Sequence, residues 1–439
     1  MWLQKVTAFF GIFVLLGVAW LLSNNKKRID FRVVLWGLLL QLIFAVLILK
    51  TGPGQGVFFF ARAFIAKLLS FTDAGASFLF GNLYRGDAGI VEQMGGAGPM
   101  QLRDGVSGQF IDIGIIFAFH ILPTIIFFAS LMSVLYHLGI MQKIVQFMAW
   151  IMAKSMGTSG AESLSAAGNI FVGQTEAPLL VKPYVPEMTH SELMAIMVGG
   201  FATIAGGVMA AYVRFGVDAG HLMAASVMSA PAALVMAKII YPETGQPKTR
   251  GMVKLPKDKT TANVIDAAAA GAADGLRLAL NVGAMLMAFI ALIAMINFGL
   301  GKIDDVVNFI TFHHTQFDWD LSLKKILGVI FSPIAFFLGV TPKDMLHFGN
   351  LLGTKISINE LIAYIDLVSL KGVISERSYI IATYALCGFA NFSSIAIQIG
   401  GIGGIAPERR SDLAKIGLKA MIGGALASWL TAAIAGILV

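Results

Sequence analysis

Charged residues and cysteine are scarce in this 439-residue chain. Asp, Glu, Lys and Arg together make up 13% of the residues, while hydrophobic residues make up 57% without counting the 48 glycines. Soluble domains reach about 45–50% apolar only when glycine is included. The single cysteine, Cys387, excludes an internal disulfide framework. With a mean hydropathy of +0.79, the composition predicts a membrane protein.

Hydrophobic runs long enough to cross a bilayer occur eight times. A helix rises about 1.5 Å per residue and needs about 20 apolar residues to cross roughly 30 Å of hydrocarbon. The predicted spans are residues 7–22, 31–49, 113–139, 192–213, 219–240, 278–300, 379–402 and 416–439. No small-residue cleavage site ends the first run, so we expect it to stay in the membrane rather than be removed as a signal peptide.

Basic residues cluster in three short loops, at residues 26–28, 248–259 and 409–415. The positive-inside rule places these loops in the cytoplasm, which puts both termini outside. The same bias explains the net charge of +7 without a nucleic-acid partner. Three shorter apolar stretches, 57–71, 144–156 and 326–340, do not fit as crossings. We interpret them as helices along the membrane interface, with ordinary helices buried against the bundle as an equal alternative.

Two regions of the chain share one series of features. In each, a short helix ending in glycine is followed by Gly-Asn, then by a polar break with one glutamate, then by Gly-Phe-Ala. The corresponding positions are 168–169 and 349–350, Glu176 and Glu360, and 200–202 and 388–390. This order and spacing indicate an internal repeat.

A broken hairpin is predicted in each copy. The apolar segment 164–181 is interrupted by GQTEAP at 173–178, and a continuous helix through its Gly and Pro would cost several kcal/mol. A glutamate at mid-bilayer would cost about 3 kcal/mol more. Two arms of about ten residues reach half the hydrocarbon, so a re-entrant hairpin fits. Thr175 is expected to cap the second arm, with Pro178 in its first turn, and Asn359 to cap the second hairpin.

Each hairpin precedes a span with its own polar interruption, at 199–207 and 388–394. Helix packing explains one such segment, but two, each paired with a carboxylate hairpin, favour broken helices that line a cavity. Inverted repeats of broken helices are the design of secondary transporters. The sequence thus predicts an all-α polytopic membrane protein of eight transmembrane helices, two re-entrant hairpins and interfacial helices, built as an inverted internal repeat.

Five sequence blocks resemble the concentrative nucleoside transporter family, whose bacterial members are cation-coupled nucleoside symporters. The blocks are GQTEAP (173–178), FATIAGGV (201–208), NVIDAAAAGAADG (263–275), NELIAY (359–364) and CGFANFSS (387–394). The resemblance covers nearly the whole chain. It implies nucleoside uptake across the plasma (inner) membrane by a homotrimer.

The resemblance also implies a division of each protomer and a binding site. Residues 1–142 and 263–305 would form a scaffold part, and 143–262 and 306–439 a transport part. The base would be bound by Gln174, Thr175 and Glu176, beside walls formed by Val208, Leu278 and Phe389. The ribose hydroxyls would be bound by Glu360, Asn391 and Ser394. A sodium ion would be bound by the carbonyls of Asn169, Val172 and Ile204 and the hydroxyl of Thr203.

Elementary chemistry agrees with a neutral nucleoside as substrate. Carboxylates and carboxamides suit the polar edges of a base and the hydroxyls of ribose. Two carboxylates at one cavity would repel phosphate, so nucleotides are not expected. Unwound backbone provides oxygens for a small cation. Proton coupling through Glu176 or Glu360 remains the alternative, because a buried carboxyl can have its pKa raised.

Other functional classes find less support in the sequence. A phosphate loop GxxxxGK[ST] is absent, which disfavours an ATP-driven pump. An intramembrane hydrolase using Glu176 and Glu360 would need HExxH or GxSxG, and both are absent. A passive channel stays open. The pair His313-His314 is interpreted as an exposed loop rather than a metal site, and His120 as a packing residue.

Overall fold

The computed structural model describes residues 2–84, 101–103, 110–112, 116–251, 261–310 and 322–439. In this part the chain is almost entirely helical. One antiparallel pair of short strands is formed by β1 (Gln101–Arg103) and β2 (Phe110–Asp112). Four 3₁₀ helices are described, at Gly81–Leu83, Ala177–Glu187, Pro342–Asp344 and Pro407–Arg409. The α-helices are α1 (Trp2–Leu21), α2 (Phe31–Lys50), α3 (Gly52–Phe80), α4 (Phe117–His120), α5 (Leu122–His137), α6 (Ile140–Met156), α7 (Gly160–Gly168), α8 (His190–Ala202), α9 (Gly206–Arg214), α10 (Ala219–Ile240), α11 (Val264–Ile310), α12 (Leu323–Phe337), α13 (Met345–Ser357), α14 (Glu360–Ser369), α15 (Glu376–Leu386), α16 (Phe392–Ile405) and α17 (Arg410–Leu438).

Eight helical stretches in the described residues are long and apolar enough to cross a membrane. Seven of them coincide with predicted spans. The predicted span 379–402 is instead divided into α15 and α16, with residues 387–391 between them. The eighth stretch is Ala63–Phe80, within α3. Part of the span predicted at 113–139, and the pair His313-His314, lie outside the described residues.

The three stretches predicted as short interfacial helices differ in length. The stretch 57–71 is part of a longer helix than predicted, because it belongs to the 29-residue α3. The other two are the 17-residue α6 and the 15-residue α12. Helix α6 buries Val145 and Ala149 on one face and leaves Phe147 60% and Trp150 50% exposed, so it is not a fully buried helix. Placement of these helices at the membrane interface stays a prediction.

Burial separates the crossing helices into a core and a periphery. Within the most apolar part of each helical stretch, 94% of the residues are buried in His190–Arg214, 89% in α10 and 83% in Pro407–Leu438. The corresponding share is 22% in α1 and 18% in the stretch within α11. Large apolar side chains exposed on the peripheral helices include Trp2, Phe13, Met287 and Phe298. Since such contiguous apolar surface is rare on soluble proteins, these faces are suited to lipid or to a partner chain.

The two halves of the chain repeat one order of elements. A helix (α6 or α12) leads into a hairpin, and the hairpin is followed by two broken-helix segments (α8 and α9, or α15 and α16) and one long helix (α10 or α17). In each hairpin the two arms pack against each other. The internal repeat is therefore present as a series of elements, while its inverted orientation in a membrane stays a prediction.

A buried carboxylate at the base of each hairpin binds a residue of a neighbouring helix or loop. At the first, Ser159 and Glu162 form a capping box that begins α7, and Glu162 lies 2.6 Å from the Nζ of Lys238 at the end of α10. At the second, the Asp344 carboxylate accepts hydrogen bonds from the backbone N–H (3.1 Å) and hydroxyl (2.7 Å) of Ser375, which precedes α15. Although burial acts to raise it, these bonds hold the pKa of Asp344 below its ordinary value. Both hairpins are thus held at their bases, which positions their tips.

Candidate functional site

The break of the first hairpin overlaps the predicted interruption at 173–178 but begins four residues earlier, at residue 169. Helix α7 ends at Gly168, residues 169–176 are irregular, and the second arm is the 3₁₀ helix Ala177–Glu187. Pro178 lies in its first turn, as predicted. The prediction that Thr175 caps this arm was wrong. The cap position is occupied by Glu176, whose side chain makes no capping bond, and the Thr175 methyl instead packs against Gly401 of α16.

The second hairpin contains a regular second arm. Helix α13 ends at Ser357, and α14 begins at Glu360. The Asn359 side chain accepts a hydrogen bond of 3.0 Å from the backbone N–H of Ile362, so the predicted cap is confirmed. The first hairpin's second arm has Pro183 and Pro186 inside it, which lack the N–H that an α-helix requires, whereas α14 contains no proline. This difference explains why only the first hairpin has a 3₁₀ arm.

The two interrupted helices meet at their breaks. Residues 203–205 separate α8 from α9, and residues 387–391 separate α15 from α16. Gly388 has φ = +136°, and a Cβ there would lie 2.6 Å from the carbonyl oxygen of Phe201. Only glycine combines this backbone angle with so close an approach. Gly388 is therefore the contact point between the breaks of the two repeats.

A chain of buried hydrogen bonds joins both hairpin tips through the second break. The Gln174 Nε2 donates to the Ser394 Oγ at 3.2 Å, and the Ser394 N–H donates to the Asn391 Oδ1 at 2.9 Å. The Asn391 Nδ2 then donates to a Glu360 carboxylate oxygen at 3.2 Å. These four side chains are at most 8% exposed. The structure thus brings together predicted base-binding and ribose-binding residues from distant parts of the chain.

The two predicted carboxylates lie in different surroundings. Glu360 is 4% exposed and accepts hydrogen bonds from Asn391 and from the Tyr212 hydroxyl, the latter at 2.9 Å. Glu176 is exposed, and within the described residues its carboxylate accepts no hydrogen bond from another side chain. The carboxylate lies beside Gly173 of the same loop. Glu360 is therefore held in place, while Glu176 is free to meet a ligand.

The predicted apolar walls belong to one hydrophobic cluster. Val208, on α9, is 5% exposed and lies within the main core. Leu278 of α11 and Phe389 in the second break are partly buried and pack against the same core. The structure therefore places all three beside the core, but it gives no direct contact between them and the buried polar chain.

The predicted sodium ligands lie where the first hairpin meets the first break. The Gly206 N–H donates to the Phe171 carbonyl at 3.0 Å, which brings the loop 169–176 against residues 203–205. Among the described hydrogen bonds, none ends on the carbonyl oxygens of Asn169, Val172 or Ile204. The Thr203 hydroxyl donates to Gly199 at 3.0 Å, so its lone pairs remain available.

One further orphaned atom lies at the same place. The Asn169 side chain donates through Nδ2 to the Ser165 carbonyl at 3.0 Å. Its Oδ1 is buried and has no hydrogen-bond partner in the described residues. Buried oxygens without donors are costly unless something else binds them. Together with the free carbonyls, this donor set fits a small hard cation.

Two residues of this site were missed by the sequence analysis. Gln398 donates to the Gln174 Oε1 at 3.0 Å, and Tyr212 donates to Glu360. A periodicity signal could have found both, because each lies four residues after a predicted site residue on the same helix, Gln398 after Ser394 and Tyr212 after Val208. Neither belongs to the blocks that carried the resemblance.

Comparison with known proteins gives the family. Models described as "Na+ dependent nucleoside transporter" match at residues 10–83 for the N-terminus and 221–436 for the C-terminus, and one described as "Nucleoside recognition" matches at 118–219. CNTnw in an inward-facing substrate-bound state is 40% identical, with a TM-score of 0.86 over 99% of this chain and 98% of that one. The chain belongs to the concentrative nucleoside transporter family.

Relatives of this transporter occur in bacteria and animals. An uncharacterized transporter of Haemophilus influenzae is 44% identical over 100% of this chain and 98% of its own length. The sodium/nucleoside cotransporter 1 of Mus musculus is 40% identical over 99% of this chain, which spans 64% of the mouse protein. A CNTnw variant in an outward-facing state has a TM-score of 0.88, at 40% identity and 99% and 98% coverage. As a family member, the chain is a membrane transporter and not an enzyme, so the hydrolase alternative is wrong.

Proposed function

We propose that this transporter imports nucleosides by symport with sodium, through alternating access. The observation that carries the proposal is the buried hydrogen-bond chain from Gln174 through Ser394 and Asn391 to Glu360, which joins the hairpin tips of both repeats. A site made by both halves can open to one side or the other when the halves rearrange. Structures of CNTnw in inward-facing and outward-facing states support this mechanism.

The base is assigned to the residues of the first hairpin, and the ribose to residues of the second hairpin and of the second interrupted helix. Gln174, Thr175 and Glu176 on the first hairpin bind the base, which the apolar residues Val208, Leu278 and Phe389 enclose. Glu360, Asn391 and Ser394 bind the ribose hydroxyls. Support comes from chemistry, because a buried carboxylate held by Tyr212 and Asn391 keeps lone pairs for hydroxyl donors. A phosphate beside Glu360 would meet a like charge, so nucleotides are not substrates.

Sodium is assigned to the oxygens at the first hairpin and first break. Asn169, Val172 and Ile204 would bind it with their carbonyls, and Thr203 with its hydroxyl. Neutral oxygens without hydrogen-bond donors suit a small hard cation that must be released on the other side of the membrane. The sodium dependence of the family supports the ion. Proton coupling through Glu176 or Glu360 is the competing mechanism.

The assembly is assigned from the family and from the exposed helices. We assign residues 1–142 and 263–305 to the scaffold part, and 143–262 and 306–439 to the transport part. Helices α5 and α11 pack together. The outer face of α11 leaves Met287 78% and Phe298 70% exposed, which suits a homotrimer embedded in lipid. Both termini are assigned to the outside of the plasma (inner) membrane.

Uptake into proteoliposomes tests the function and the coupling ion together. Radiolabelled uridine and adenosine are offered under an inward sodium gradient, an inward proton gradient, or neither. We expect the nucleoside to accumulate above its external concentration only when the inward sodium gradient is imposed. Accumulation driven by a pH gradient without sodium would establish proton coupling instead. Equilibration without accumulation under either gradient would establish a passive channel.

A further inference from the structure

Gln398 is a fully buried polar residue in the middle of α16. Its side chain is 0% exposed, and it contacts two oxygens at once. The Nε2 donates to the Gln174 Oε1 at 3.0 Å and to the Met197 carbonyl of α8 at 3.1 Å. Gln398 therefore connects a backbone group of the first broken helix to a side chain at the tip of the first hairpin.

These contacts determine which way both amides point. If the Gln398 amide were flipped, its oxygen would face two acceptors, the Gln174 Oε1 and the Met197 carbonyl, and both hydrogen bonds would be lost. The Gln174 Oε1 must in turn face Gln398. The Gln174 Nε2 is thereby directed to the Ser394 Oγ, 3.2 Å away. The orientation of Gln174 thus follows from that of Gln398.

The backbone of α8 leaves room for this contact. A Cβ at Gly200 would lie 2.7 Å from the Gln398 Nε2 and 2.9 Å from the Gln174 Cβ. Both distances are shorter than real Cβ contacts allow, so any larger residue would push the two glutamines apart. Gly200 belongs to the repeated Gly-Phe-Ala series, and this approach gives a physical reason for glycine there.

The oxygen of the Gln398 side chain offsets part of the stability that its two donated hydrogen bonds contribute. Its Oε1 is buried and has no hydrogen-bond partner in the described part of the chain. An unpaired buried acceptor costs free energy, which offsets much of what the two donated bonds contribute. An apolar side chain of the same length would fill the space without that cost but would leave the Gln174 Oε1 without its donor. Buried polar atoms without a hydrogen-bond partner are expected at functional sites.

We infer that Gln398 is a positioning residue that fixes the Gln174 amide in the single orientation in which it recognises the nucleobase. A primary amide presents a donor beside an acceptor, and a flip exchanges the two. A fixed amide therefore matches one arrangement of N–H and C=O on the edge of a base and opposes the reverse arrangement. This inference rests on the proposed function, because it requires that Gln174 bind the base.

A double-mutant cycle on uridine uptake tests the inference. Three variants are reconstituted: Gln398→Met, Gln174→Met and the double variant, since methionine has a similar length without the amide. We expect Gln398→Met to raise the half-saturating uridine concentration about tenfold, the cost of one or two net hydrogen bonds, with the maximal rate retained. Because Gln398 acts through Gln174, the double variant should be no worse than Gln174→Met. Additive losses, or no loss in Gln398→Met, would overturn the inference.

Gln41→Met provides the matched control. Gln41 of α2 is also 0% exposed and donates to a backbone carbonyl, and its Oε1 has no partner among the described residues, but it lies outside the site. Each substitution removes one unpaired acceptor and leaves another acceptor without its donor, so we expect Gln41→Met and Gln398→Met to shift the melting temperature by similar small amounts, with uridine affinity changed only in Gln398→Met. A lower melting temperature for Gln398→Met alone would indicate a structural role and contradict the inference. If the parent protein takes up no nucleoside, the proposed function itself fails, which is a separate result.

Discussion

Replacing Glu360 with glutamine should selectively remove recognition of ribose. The Glu360 carboxylate accepts from Tyr212 at 2.9 Å and from Asn391 at 3.2 Å. In Glu360→Gln the amide oxygen can keep the Asn391 bond, and the amide nitrogen can donate to the Tyr212 hydroxyl, which accepts as well as donates. The fold should therefore tolerate the change. What is lost is a charged acceptor for the substrate.

The expected magnitude follows from the type of hydrogen bond that is lost. A hydrogen bond to a charged group contributes about 1.5–3 kcal/mol, and each 1.4 kcal/mol corresponds to about tenfold in affinity. We therefore expect the half-saturating uridine concentration to rise between about tenfold and about a hundredfold. A deoxynucleoside that lacks the hydroxyl bound by Glu360 has no such interaction to lose, so its affinity should change far less.

The assay compares three substrates in two proteins. Uptake of uridine, 2′-deoxyuridine and 3′-deoxyuridine is measured in proteoliposomes containing the parent protein or Glu360→Gln. Glu187→Gln serves as the control for loss of a carboxylate, because Glu187 is exposed and forms an ion pair with Lys248 at the surface. If all three substrates lost affinity by the same factor in Glu360→Gln, the assignment of this residue to ribose would be refuted.

Three further substitutions test other parts of the site. Glu176→Gln should leave expression and melting temperature unchanged, since the side chain is exposed, but should severely weaken uridine and adenosine uptake; unaltered uptake would remove Glu176 from the site. Thr203→Val should raise the half-saturating sodium concentration before it affects substrate selectivity, and an unchanged sodium titration would reject this ligand. Gly388→Ala should lower the free energy of unfolding by about 1–3 kcal/mol, because Gly388 has a φ of +136° and contacts Phe201. Gly400→Ala is the control, since no described atom lies within 4 Å of a Cβ placed there, and it should not lower stability. Equal melting temperatures for the two variants would contradict this reasoning.

Features that depend on neighbouring residues were predicted correctly from the sequence. Seven spans, Pro178 in the first turn of the second arm and the Asn359 cap all follow from hydropathy, proline and short-range hydrogen bonding. The same reasoning gave the wrong length for one helix and the wrong cap for another. The stretch 57–71 was taken as a short helix, but it belongs to the longer α3. Thr175 was expected to be a cap, but its side chain packs against Gly401 of α16.

The sequence by itself determined that this is a polytopic helical membrane protein with two copies of a broken hairpin, and its motifs determined the family. Local composition suffices for these two conclusions, because a bilayer requires long apolar helices. A polar break in such a helix must be buried in the protein or line a cavity. Only the tertiary structure decided which of the polar residues meet. Gln174 and Gln398 are 224 positions apart, and Tyr212 and Glu360 are 148 apart. Hydrogen bonds between such distant residues are decided by how the two repeats pack, because no periodicity within one helix specifies its partner on another.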